Sequence, residues 1–349
     1  MIRLGLIFGG RSGEHEISIL SAASIAGALD RSKYEVIPIG IDKNGKWRKV
    51  TADMNGITSL DNPRLPKLIP QSEPISFDEV QRTIDFAFII LHGPYGEDGT
   101  IQGLFEMMDK PYAGPGVVSS AVSMDKIFTK DIWIRAGLPV CKHVFFTAFD
   151  YKTDGEAQID LIEKSLPYPV FVKPANLGSS VGITKAANHG ELVLAVEKAL
   201  KYDRRIIVEE GIDGRELEVA VLGNEVPETG AIGEIMPENE FYDYEAKYSS
   251  SDTKLSIPAE NVPADIEEKI YDIVKRAYRA VDGEGFSRVD TFYVEETGEV
   301  FLNEINTLPG FTNFSMFPSL WKAKGVEYSD LVERIIDLGF ERYNAKNNR

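Results

Sequence analysis

Two short segments carry a guanidinium, two carboxylates and two amides at strand spacing: Ser287-Arg-Val-Asp290 and Leu302-Asn-Glu-Ile-Asn306. Side chains alternate along a strand, so Arg288 and Asp290 share one face, as do Glu304 and Asn306. Glu295-Glu-Thr-Gly-Glu299 between them reads as a hairpin turn, and its length decides whether the acids meet. A two-residue Thr297-Gly298 turn places Asp290 opposite Ile305, with the carboxylates on different faces. A three-residue loop closed by a left-handed Gly298, or an equivalent bulge, places Asp290 opposite Glu304. We expect the second. Facing carboxylates repel unless a cation lies between them. An oxygen-only donor set without His or Cys suits a hard ion, and Mg²⁺ keeps positions open for phosphate oxygens. The apolar neighbours Val289, Phe292, Phe301, Leu302 and Ile305 argue against a merely solvated hairpin.

Lysine beside glycine supplies a second chemistry. Lys173 ends an apolar run and precedes Pro174-Ala-Asn-Leu-Gly-Ser-Ser-Val-Gly182. Such a pairing suits phosphate: the ammonium meets the oxygens and the loop donates N–H and O–H groups. Lys126 and Lys247 are further candidates, although single lysines are ordinarily solvated surface. Glu209-Glu-Gly-Ile212 and Glu216 lie where adenine and ribose could be held, but spacing alone does not assign them. Gly9-Gly-Arg-Ser-Gly13 does not fit G-x-G-x-x-G, which argues against a hydride-transfer site, and no G-x-x-x-x-G-K-[ST] occurs. Such a turn at a helix start either binds a carboxylate through its N–H groups or is simply tight. His92-Gly-Pro-Tyr-Gly-Glu-Asp-Gly99 follows an apolar run, where open sheets gather ligands; alone it reads as a turn before a helix capped at Asp98. His15, His143 and His189 have no partner at metal-ligand spacing.

These groups need elements to position them. Strand-like runs are Ile2–Phe8, Tyr34–Ile41 and Ile84–Leu91, with helical periodicity at Ser18–Leu29, the pattern of a parallel α/β sheet. Residues 51–77 read as loop with a short strand pair. A second unit opens near Ser123 with a helix over Met124–Ala136, strands at Pro139–Phe146, Pro169–Lys173 and Ile206–Glu210, and a helix at Glu191–Lys201. A third has strands at Leu217–Leu222, Arg288–Val294 and Val300–Asn306, a polar aromatic loop at Asn239–Ser256, a helix at Ala264–Val281 and terminal helices. The expected divisions are 1–122, 123–212 and 213–349. The chain has 349 residues and a formal charge of −17, from 38 basic against 55 acidic side chains. That acid excess argues against a general nucleic-acid or anionic-membrane binder. Cys141 is the only cysteine, which excludes an intrachain disulfide and a thiolate metal cluster. No apolar run reaches a membrane span and no signal segment is evident, so a cytoplasmic protein is expected.

In order along the chain, five segments resemble the D-alanine–D-alanine ligases of the ATP-grasp superfamily. They are Phe8-Gly-Gly-Arg-Ser-Gly-Glu-His-Glu-Ile-Ser18, His92-Gly-Pro-Tyr-Gly-Glu-Asp-Gly-Thr-Ile-Gln-Gly103, Lys173–Gly182, Phe241-Tyr-Asp-Tyr-Glu-Ala-Lys-Tyr248 and Asn303-Glu-Ile-Asn-Thr-Leu-Pro-Gly-Phe-Thr-Asn313. Thr291 departs from the pattern, which usually has an apolar residue after the aspartate. The resemblance implies a three-domain ATP-grasp fold with an N-terminal Rossmann-like parallel sheet domain. It implies ATP-dependent joining of two D-alanines through a D-alanyl phosphate, for peptidoglycan precursor synthesis, in a homodimer. By position it implies Lys126, Lys173, Ser180 and Lys247 on ATP phosphates, Glu209, Ile212 and Glu216 around adenosine, and Asp290, Glu304 and Asn306 on two Mg²⁺ (or Mn²⁺). Glu14, Ser179 and Tyr248 would form a triad closing the loop 239–256, Glu14 holding the first alanine's ammonium. Arg288 and the Gly310 N–H would stabilise an oxyanion, Ser315 would hold the second carboxylate, and His92 would assist loss of the amine proton. Tyr248 and Met316 match the D-alanine acceptor pattern. The alternatives are a related ligase using D-lactate or D-serine, and a non-catalytic nucleotide-binding protein.

Overall fold

A computed structural model describes residues 1–178, 181–236 and 254–347. The chain builds three sheets, each with helices on at least one face. The first has the order β4-β3-β2-β1-β5, from β1 (Ile2–Gly9), β2 (Tyr34–Ile41), β3 (Trp47–Val50), β4 (Ser72–Pro74) and β5 (Phe86–Ile90). β1 is parallel to both β2 and β5. All five residues of β5 are buried, as expected of a parallel strand covered on both faces. The parallel reading therefore holds for these three strands. β3 and β4 add an antiparallel edge, so the sheet is mixed. β4 supplies one strand of the expected short pair within residues 51–77.

The second sheet, β6-β9-β7-β8, is antiparallel throughout: β6 (His143–Thr147), β7 (Val170–Pro174), β8 (Thr184–Ala186) and β9 (Arg205–Glu210). Val170, Val172, Ile206 and Val208 pack with Ile159, Leu192 and Val196 of the helices Gly155–Ser165 and His189–Ala199. Alternation then sends Lys173 and Glu209 to the other face.

The third sheet, β12-β11-β10-β13-β14, is also antiparallel: β10 (Arg215–Leu222), β11 (Glu228–Met236), β12 (Lys254–Ser256), β13 (Phe286–Val294) and β14 (Glu299–Asn306). The helix Ala264–Ala280 buries Ile266, Ile270, Ile273, Val274 and Ala277, a stripe at helical spacing, against Leu217, Val219, Val289, Leu302 and Ile305. Glu216, Glu218, Arg288 and Asp290 consequently point away from that helix.

Two expectations need correction. Met124 ends a separate helix, Val117–Met124, and the helix expected over Met124–Ala136 is present but runs Lys126–Arg135, with Asp125 extended between them (φ −96°, ψ 106°). The Asp125 carboxylate accepts from Phe128 N–H at 3.2 Å and so caps the second helix. Asp98 is not a helix cap: Gly99 holds that place, and Asp98 accepts from Tyr95 and Thr100 N–H at 2.8 and 3.0 Å. Among the described residues no helix is long and apolar enough to cross a membrane.

Candidate active site

The register of β13 and β14 brings the acids together. Asp290 lies opposite Glu304 and Arg288 opposite Asn306. Gly298 is left-handed (φ 69°), as expected, but the loop spans Glu295 to Gly298, with Val294 opposite Glu299. That loop alone would put Asp290 opposite Asn303. A bulge between the Asp290 and Thr291 pairings absorbs Asn303 and restores the facing pair, the equivalent bulge rather than the three-residue loop. It also explains why Leu302 and Ile305, three apart, both join the helix-side core.

Asp290 is 1% exposed. Its oxygens accept from Arg288 Nε and a terminal guanidinium nitrogen at 2.7 Å each, and from Asn306 Nδ2 at 2.9 Å. Glu218 lies opposite Asp290 on β10, with Oε2 3.0 Å from Arg288 Nε. Burial opposes the guanidinium charge, but Asp290 and Glu218 more than offset it and hold Arg288 well above its ordinary value.

A lysine cluster adjoins this face. Lys126 Nζ lies 3.6 Å from Glu304 and donates to Leu177 O at 2.7 Å. Lys173 and Lys130 reach the two oxygens of Glu209 at 2.7 and 3.2 Å. Lys130 also donates to Asn303 O, the bulge carbonyl, at 3.2 Å. Burial pushes the Lys126 ammonium down, with Glu304 only partly opposing it. Burial alone would raise Glu209, yet Lys130 and Lys173 hold it well below the usual carboxylate range. Glu216 sits two residues before Glu218 on the same face of β10, and Ile212 lies in the β9–β10 connection.

A cavity of about 360 Å³ is lined by Arg288 and Asn306 together with Glu14, His92, Gly310 and Ser315. Gly93 (φ 73°) lets the His92 loop approach Glu14: a Cβ there would lie 3.3 Å from Oε2. His92 Nδ1 is 2.8 Å from Leu308 O, so it carries the proton, while Nε2 is 3.2 Å from Ser21 Oγ. Ser21 Oγ also accepts from Phe311 N–H at 3.3 Å. The imidazole thus braces both sides of the turn holding Gly310. Glu97 braces the same turn, accepting from Leu308 and Gly93 N–H at 2.8 Å each. Ser315 precedes the helix Met316–Ala323, whose N-terminal dipole favours a carboxylate. A larger groove of about 620 Å³ shares Thr58 and Phe314 with this cavity but none of these ionised groups.

Ser179, Ser180, Lys247, Tyr248 and residues 239–253 of the expected loop lie outside the described residues. Spacing did not point to Lys130 or Glu218, whereas Glu97 falls in the His92–Gly99 segment singled out beyond the third apolar run. Lys130 had a signal, being one helical turn beyond Lys126 in one helix. Glu218 shares β10 alternation with Glu216.

The donor set fits a hard divalent cation. Asp290, Glu304 and Asn306 offer oxygens only, and among the described residues no group of three His, Cys, Asp or Glu could hold a metal by itself. Phosphate and water oxygens would complete the shell, as Mg²⁺ prefers.

Lysines and opposed acids between two antiparallel sheets, beside a third with a parallel centre, define an ATP-grasp ligase frame. The family models for the D-ala D-ala ligase N-terminus and C-terminus match residues 3–115 and 132–337. The D-alanine–D-alanine ligase of Bacillus pumilus is 46% identical over 99% of this chain and 98% of its own length. That of Clostridium novyi is 47% identical over 98% and 99%. Among solved structures, the VanG D-Ala:D-Ser ligase of Enterococcus faecalis superposes with TM-score 0.87 at 36% identity, covering 97% of this chain and 99% of that one. The D-alanine–D-alanine ligase of Coxiella burnetii gives 0.85 at 34%, covering 99% and 96%. The chain belongs to the D-Ala–D-Ala ligase family.

Proposed function

We propose that the protein uses ATP to join two D-alanines into D-alanyl-D-alanine through a D-alanyl phosphate, supplying peptidoglycan precursor. The observation that carries this reading is the placing of Glu14, Arg288, Asn306, Gly310 and Ser315 around one cavity, with the opposed acids and lysine cluster beside it. A carboxylate is a poor electrophile, so its oxygen is first phosphorylated; the second amine then attacks, and the tetrahedral intermediate expels phosphate. Lys126 and Lys173, with Ser180 and Lys247, hold the transferring phosphoryl oxygens. Glu209, Ile212 and Glu216 border the adenosine. Glu14 binds the first ammonium and, with Ser179 and Tyr248, closes the loop 239–256 against water, which would hydrolyse the acyl phosphate. Arg288 and the Gly310 N–H stabilise the oxyanion, and Ser315 holds the second carboxylate. His92, which lines the cavity, assists loss of the amine proton. Asp290, Glu304 and Asn306 hold two Mg²⁺ (or Mn²⁺), which neutralise phosphoryl charge when bound. The divisions 1–122, 123–212 and 213–349 and a cytoplasmic homodimer belong to the same reading.

A D-serine acceptor is the second reading, favoured by the likeness to VanG. Incubation with Mg-ATP and D-alanine, with or without D-serine or D-lactate, and mass identification of the product decides between them. D-Alanyl-D-alanine and stoichiometric ADP are expected. A mixed product alone supports the second reading, and no D-alanine-dependent ADP overturns both.

A further inference from the structure

Arg288 lies between two buried carboxylates, Asp290 and Glu218. Asp290 takes two of its N–H groups in a planar fork, an arrangement sufficient for one buried guanidinium. Glu218 nevertheless stands 3.0 Å from Nε, only 2% exposed and at the centre of the sheet. Opposite Arg288 on β10 is Ala220, whose methyl leaves the guanidinium room to lie along the strand between Asp290 and Glu218. The register aligns Glu218, Asp290 and Glu304 on three successive strands.

We propose that Glu218 is a positioning residue for Arg288, holding the guanidinium at the cavity when Asp290 turns its oxygens to a divalent cation. This rests on Asp290 being a metal ligand, as read above. Asp290 cannot keep the arginine fork and serve a cation with the same lone pairs. With Glu218 present, Arg288 moves from two carboxylates to one and stays charged and aimed. Without it, the guanidinium remains on Asp290 and competes with the metal.

The experiment measures ADP binding by calorimetry across a Mg²⁺ titration, so turnover is not needed. Glu218→Gln should raise the half-saturating Mg²⁺ roughly tenfold, the low end of what a close buried charge pair contributes. In an Arg288→Ala background the same substitution should have little effect, because no guanidinium competes. Glu218→Asp should recover part of the loss, and thermal unfolding checks that each variant folds. An equal effect of Glu218→Gln with and without Arg288, or no effect in either, overturns the proposal. Asp290→Asn separates the two failures. If it leaves the Mg²⁺ dependence unchanged, the metal assignment falls and the proposal with it; if it abolishes the dependence while Glu218→Gln changes nothing, only the proposal falls.

Discussion

Arg288 touches Asp290 and Glu218 and opens onto the cavity, so its removal strips charge from where an oxyanion would form. Arg288→Ala should lower kcat at least about 100-fold while ATP affinity changes less than about threefold, the signature of an interaction made in the transition state. Steady-state kinetics beside nucleotide calorimetry checks this, and equal losses would reject the oxyanion role. Lys130 is 1% exposed and shares Glu209 with Lys173. Lys130→Met should cost about 1–3 kcal/mol, because a buried carboxylate loses one of two cations. Adding Glu209→Gln should cost less than the sum of the single changes in urea unfolding. Lys130 and Glu97 were only partly legible in the sequence, Lys130 one helical turn beyond Lys126 and Glu97 inside the His92–Gly99 segment. Each acts through a backbone partner distant along the chain, Asn303 O for Lys130 and Leu308 N–H for Glu97, and single residues carry no mark of such bonds. The opposed acids were legible because alternation and one hairpin connect them.

At the scale of elements, β13–β14 shows how far that legibility extends. Facing of Asp290 and Glu304 could be expected, since only some loop lengths keep both acids on one face. The device was open, and the structure uses a longer turn with a bulge at Asn303. The signal was the spacing of Leu302 and Ile305, which breaks simple alternation. Gly298 (φ 69°) has room for a side chain, with Ile266 3.7 Å from an added Cβ, so Gly298→Ala meets only backbone strain. It should destabilise by about 1–2 kcal/mol without disturbing the fold. A larger loss, or altered metal dependence, would mean that the turn sets the register rather than the bulge. The helix break at Asp125 was less legible: its paired Arg205 sits on β9, far along the chain, and apolar periodicity continues through the break.

For the whole molecule, the parallel centre of the first sheet was plain from its apolar strands, whereas the antiparallel edge rests on short polar segments with little pattern. Asp85, beside β5, pairs with Arg3 on β1, whose guanidinium holds the carboxyl down to about 2 from 3.8, against the opposing effect of burial. A depressed carboxylate contributes stability above its unfolded value that is lost as pH falls through the folded one. Both partners are partly solvated, so Asp85→Asn should cost less than about 1 kcal/mol at neutral pH. The gap to the parent should close between about pH 4 and pH 2, followed by denaturant unfolding; a gap growing there would contradict the pairing. The first sheet's core is also not finished by its own segment. Phe311, Phe317, Leu331, Ile335 and Ile336, from beyond the hairpin of acids, pack into the same cluster as Leu4, Phe8 and Phe88. On the ribosome, the earliest strands would emerge roughly tens of seconds before those partners at ordinary elongation rates. The nascent sheet must therefore wait with unfilled apolar ground, and its maturation depends on helices translated well after it.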